Sequence, residues 1–102
     1  MLRSKLLLYD ICEENEYFDK YIDLVSKNKY TIKQKFKTQQ HHIIPKAYFK
    51  RNNLKIDNSE ENLVNLLYKD HVLAHYYLYK CVKDSYKKSQ GEAVIALLNY
   101  NY

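Results

Sequence analysis

The chain's four histidines form two pairs: His41 beside His42, and His71 four residues before His75. Imidazole can ligate a metal ion or act as a general base, because an unperturbed pKa of ~6.5 leaves a lone pair free near physiological pH. At i,i+4 on a helix, His71 and His75 share one face a turn apart, as two ligands of one ion must. On a strand, neighbours point to opposite sides, so His41 and His42 are expected to differ in role. An adjacent pair and an i,i+4 pair would rarely arise together by chance among four histidines. A lone histidine is more often a hydrogen-bonded core or surface residue. Two pairs on elements able to fold together weigh toward a metal site.

The pairs need a strand and a helix to carry them. His41 to Pro45 reads as a short strand ended by Pro45, which cannot donate to a ladder. A polar loop over residues 46–61 follows, with Tyr48, Phe49, Leu54 and Ile56 available to pin it, and Leu63 to Leu67 reads as a second strand. Residues 69 to about 83 read as a helix with Val72, Leu73, Tyr76, Leu78 or Tyr79, and Val82 on its buried side. Upstream, residues 4 to about 28 carry Leu7, Ile11, Phe18, Ile22 and Val25 at helical spacing, as one helix or two; Tyr30, Ile32 and Phe36 then alternate as in an extended segment. Ser89 and Glu92 have capping-box spacing, which predicts a last helix over 89–98 packed through Ala93, Val94, Ala96, Leu97 and Leu98. The order predicts an α+β fold in which a short β-hairpin packs on a helix, flanked by N- and C-terminal helices.

With 102 residues, 46% apolar and 28% charged, the chain has material for one small domain over 1–102, either whole or one module of a longer protein. No run approaches the roughly 20 apolar residues of a spanning helix, so no membrane partner is expected. Cys12 and Cys81 are far apart and form no CxxC pair, which excludes a disulfide framework and a cysteine zinc finger and suits a reducing, cytoplasmic setting. A net charge of +5 suits an anionic partner. The charge is concentrated: residues 29–55 hold eight cations and no acid, while residues 10–23 hold six acids and one lysine. A basic block that surrounds the first histidine pair is what contact with nucleic-acid phosphates requires.

His41-His42-Ile43-Ile44-Pro45, then Asn62-Leu63-Val64-Asn65-Leu66, then His71-Val72-Leu73-Ala74-His75 resembles the HNH endonucleases, over residues 38 to 82. That resemblance implies a ββα-metal (His-Me finger) core, a hairpin packed on a helix around one ion. It implies His41, His71 and His75 as metal ligands, His42 as the catalytic general base, and Asn62, nine residues before His71, as the catalytic-site asparagine that orients loop and base. Where many phage-type relatives have a Gly-rich turn between the strands, this chain has Lys50-Arg51-Asn52-Asn53-Leu54, and the bracing cysteine pairs of some relatives are missing, which leaves bracing to the flanking helices.

The implied activity is metal-dependent hydrolysis of DNA phosphodiester bonds to a 5′-phosphate and a 3′-hydroxyl, of phage or mobile-element type. An anionic phosphodiester needs a base to activate water and a cation to neutralise charge. Three neutral imidazoles leave coordination positions open and the ion's charge uncompensated. Zinc, nickel, cobalt, manganese and magnesium are all candidate ions, with imidazole favouring the transition metals. Since a ligating imidazole must be neutral, rescue of His75→Ala by added metal is expected to fade as pH falls below ~6.5. Lys46, Lys50 and Arg51, just after the first strand, are the expected DNA-backbone contacts. The rival reading is a non-catalytic nucleic-acid-binding module with a structural zinc; a fourth, non-ligating imidazole speaks against it. A homodimer partner or further domains stay open.

Overall fold

The computed structural model describes residues 2–28 and 38–99. Among these, five helices and a two-stranded antiparallel sheet make an α+β fold: α1 (Leu2–Ile11), α2 (Glu16–Asn28), β1 (Thr38–His42), α3 (Lys46–Arg51), β2 (Leu63–Leu67), α4 (Tyr68–Cys81) and α5 (Asp84–Leu98), with a 3-10 turn over Glu60–Asn62 before β2. The extended segment expected around Tyr30, Ile32 and Phe36 lies outside the described residues. No helix among the described residues is long and apolar enough to cross a membrane.

The N-terminal region is two helices. Asn15 starts the second: its Oδ1 accepts from the backbone N–H of Tyr17 (2.9 Å) and Phe18 (3.1 Å), two donors the first turn would leave orphaned. Phe18, Tyr21, Leu24 and Val25 then recur at helical spacing and are buried. At the break, Cys12 bridges to Val82, Glu13 N–H donates to the Cys81 carbonyl and Lys83 N–H to that of Ile11. The thiols of Cys12 and Cys81, both buried and free, meet at 3.7 Å.

β1 pairs with β2 so that Gln39 faces Leu66, His41 faces Val64 and His42 faces Leu63. The second strand occupies the predicted span; the first is displaced, ending at His42 rather than running to Pro45. Ile43 and Ile44 look like strand residues because they are wholly buried, but they lie in the turn after the strand. The expected loop over 46–61 contains α3, which begins directly after Pro45, where the fixed φ suits a helix start. The helix ends at Arg51, and past the cap residue Asn52 the chain turns at Asn53, whose φ of 55° is left-handed, with Asn53 N–H donating to the Lys50 carbonyl and Leu54 N–H to that of Phe49. Asparagine thus serves where a glycine commonly would.

α4 packs against both α2 and α5 and touches both strands. Its buried residues are Ala74, Leu78 and Cys81, and of the expected face Leu78 and Val82 are buried, whereas Tyr76 and Tyr79 are exposed and Val72 and Leu73 half-buried. His71, Ala74, His75 and Leu78 recur at three- and four-residue spacing and so share one side of the helix. The last helix is also corrected. It starts at Asp84, and Ser89 lies inside it, donating to the Tyr86 carbonyl (2.9 Å) instead of capping. Its buried residues are Tyr86 and Gln90, while Ala96 and Leu98 of the expected face are exposed. Gly91 sits where an added Cβ would come within 3.3 Å of the Tyr79 ring, so its missing side chain lets α5 approach α4 closely.

Candidate metal centre

β1 and α4 bring three imidazoles together. Ring centroids are 5.2 Å apart for His41 and His71, 4.9 Å for His41 and His75, and 5.0 Å for His71 and His75. One ring nitrogen from each lies within 4.8 Å of the other two, close enough to hold a metal ion. The i,i+4 spacing supplies two corners on α4, and the packing of α4 on the hairpin supplies the third.

Burial makes these histidines neutral. His41 is 1% exposed, and its pKa is driven well below the ordinary imidazole value by desolvation and then by proximity to His75, His71 and His42. His71 is lowered to about 4, again by desolvation first and His75 second. His75 is lowered by desolvation, partly opposed by its hydrogen bond to Gln90. Proton competition for a metal is therefore displaced below the pH of about 6.5 expected from unperturbed imidazole. The donor set suits a transition ion: three uncharged nitrogens, one of which, His41 Nδ1, is buried with no hydrogen-bond partner among the described residues.

His42, the last residue of β1, is half-buried and has a different environment. It borders a cleft of about 540 Å³ that also opens onto His41, His71 and His75. Its Nε2 lies 2.7 Å from Asn58 Oδ1. An amide oxygen only accepts, so Nε2 carries the proton and Nδ1 keeps a lone pair able to take another.

Asn62 is wholly buried and does not border the cleft. Its Oδ1 accepts from Ile44 N–H (2.8 Å), its Nδ2 donates to the Asp57 carbonyl (2.9 Å), and its own carbonyl accepts from Ile43 N–H (2.8 Å). It ties the end of the interstrand connection to the residues just after His42, so it holds the loop, whereas the contact to the His42 ring comes from Asn58. Lys46 and Lys50, one turn apart on α3, border the cleft. Arg51 does not; its guanidinium lies 5.1 Å from the Tyr86 ring centroid.

Residue spacing did not reveal Asn58, Tyr21, Gln39 or Gln90, all of which touch a site histidine. Gln39 had a readable signal, since period two puts it on the same side of β1 as His41. Gln90 was hidden by the capping-box reading of Ser89 and Glu92, and Tyr21 by being one of 12 tyrosines. Compared with known protein families, curated proteins and solved structures, the chain matches none.

Proposed function

We propose that the chain is a metal-dependent endonuclease of the HNH type, with the hairpin and α4 as a ββα-metal core and DNA phosphodiesters as substrate. The observation that carries this reading is a fourth imidazole, held by its own hydrogen bond to Asn58, on the same cleft as three that converge. A purely structural ion has no use for it.

In this reading His42 Nδ1 removes a proton from the attacking water, with Asn58 holding the ring by the opposite nitrogen. Water oxygen bonds to phosphorus as the bond to the 3′ oxygen breaks, and the departing 3′ oxygen takes a proton from solvent, leaving a 5′-phosphate and a 3′-hydroxyl. A divalent ion held by His41, His71 and His75 would neutralise charge on the phosphate and the leaving oxygen. Lys46 and Lys50 meet neighbouring backbone phosphates at the rim. Asn62 keeps the chain after His42 in place through Ile43 and Ile44.

The test is incubation of the purified protein with supercoiled plasmid and a panel of divalent ions, beside His42→Ala. Ion-dependent cleavage by the wild type and none by the variant is the expected result. No cleavage with any ion, together with tight zinc binding, would point instead to the non-catalytic module.

A further inference from the structure

The three clustered histidines each hydrogen-bond to a different element. His41 Nε2 lies 2.8 Å from the hydroxyl of Tyr21 on α2. His71 Nδ1 lies 2.7 Å from Oε1 of Gln39 on β1, and His75 Nδ1 lies 2.8 Å from Oε1 of Gln90 on α5. Tyr21 is fully buried and Gln90 is 3% exposed.

We propose that Tyr21, Gln39 and Gln90 are positioning residues that fix one tautomer in each histidine, so that the lone pairs of His41 Nδ1, His71 Nε2 and His75 Nε2 converge. The inference deepens the metal-site reading and rests on it for its purpose, although the tautomers are a property of the metal-free chain.

Donor and acceptor roles decide the tautomers. An amide oxygen can only accept, so His71 and His75 carry their protons on Nδ1 and leave Nε2 bare. The Tyr21 hydroxyl donates its one proton to the Ile43 carbonyl at 2.6 Å, and so it accepts from His41 Nε2–H. That leaves His41 Nδ1 bare, the nitrogen with no other partner among the described residues. The opposite tautomer of His41 would bury an N–H with no acceptor and deprive the Ile43 carbonyl of the Tyr21 donor. Opposite tautomers in all three rings would aim three N–H groups at one another across the cluster. Because the partners are a phenol and two amides, the orientation is set without placing a carboxylate behind the rings. Two of the three come from outside residues 38–82, so α2 and α5 contribute to the site as well as to its packing.

Long-range nitrogen–proton NMR of the histidine rings in the full, chelator-treated chain reads the protonated nitrogen directly. The wild type should show single tautomers, with the proton on Nε2 of His41 and on Nδ1 of His71 and His75. Gln39→Met, at a half-buried strand position, should mix the tautomers of His71 and weaken zinc binding by about 10–100-fold in calorimetric titration. Gln39→Glu, which keeps an acceptor, should restore the Nδ1–H tautomer and recover affinity, which a merely structural role would not produce. Gln90→Met should do the same to His75 and leave His71 unchanged. Mixed tautomers in the wild type, or wild-type zinc affinity in both methionine variants, would overturn the proposal. Single tautomers in a wild type that binds no zinc would uphold the positioning and sink the metal reading.

Discussion

The two sides of the cleft are built differently. On one, His41, His71 and His75 are drawn from a strand and a helix buried in the body of the fold, and each ring is held by a partner on α2, β1 or α5. On the other, His42, Lys46 and Lys50, together with Asn58 bonded to the His42 ring, lie at the end of β1 or in the connection between the strands, where most residues are exposed. The first side is fixed by core packing, and the second depends on how one loop is tied down. Ligation needs three nitrogens held within tenths of an ångström, whereas proton transfer and phosphate contact need groups that a large substrate can reach.

The largest expected separation of the two sides comes from His42→Ala. In the proposed nuclease reading, removing the base should lower the cleavage rate by about 10²–10⁴-fold, because general-base catalysis contributes on that scale. Zinc affinity should stay near wild type, since His42 is outside the converging trio. Plasmid cleavage and calorimetric titration on the same preparation check both halves. A loss of metal binding as severe as that of His71→Ala would merge the two sides into one.

Next in size is Asn62→Ala. It leaves Ile44 N–H and the Asp57 carbonyl without the Asn62 side chain and opens a small void in a fully buried position, which should cost about 2–4 kcal/mol. Urea unfolding measures the loss. At temperatures where the variant stays folded, cleavage should fall while zinc affinity holds, because the loop loosens and the helix pair does not.

The buried side was the more legible in the sequence. His71 and His75 declared themselves by spacing, and the apolar run Leu63 to Leu67 marked its strand to the residue, because the 3.6 and 2.0 periods are imposed by backbone geometry. The loop side was less so. Lys46–Arg51 carries too few residues to show a helical period, and its end is signalled only by Asn53, a residue equally at home in any polar loop. Ile43 and Ile44 displaced the strand reading because burial in a turn and burial in a strand select the same residue types. Within the site, the partners Tyr21, Gln39, Asn58 and Gln90 are ordinary residues until tertiary contact places them 2.7–2.8 Å from a ring nitrogen. The Ser89 and Glu92 cap was overridden because burial of Tyr86 against the core extends α5 toward its start.

Acid should destabilise the fold through the buried side. His41, His71 and His75 all have folded pKa values below the ordinary imidazole value, so below about pH 6.5 the unfolded chain takes up protons that the folded chain refuses. Stability of the metal-free protein should therefore fall as pH drops, by up to about 1.4 kcal/mol per pH unit for each such histidine, and the contribution of His71 should level off below about 4. Thermal unfolding across pH 4–7.5 in chelator measures this. His71→Gln, which cannot titrate, should flatten the slope in that window. An unchanged slope would remove His71 from the buried side.

The smallest effect is expected at the rim and sharpens what the exposed side is for. Lys46 and Lys50 border the cleft, whereas the guanidinium of Arg51 is stacked over Tyr86. If the two lysines each neutralise one phosphate, Lys46→Gln with Lys50→Gln should reduce the salt dependence of binding to duplex DNA by roughly 1.8 in log–log slope, since each phosphate contributes about 0.9. The loss should be similar for unrelated sequences, because backbone contacts carry no base information. Arg51→Gln should leave the slope near wild type, its charge being committed to the α3 to α5 contact. Fluorescence anisotropy at several salt concentrations distinguishes the two. A larger change from Arg51→Gln than from the lysine pair would move the proposed DNA path off the cleft rim and onto the α5 side of α3.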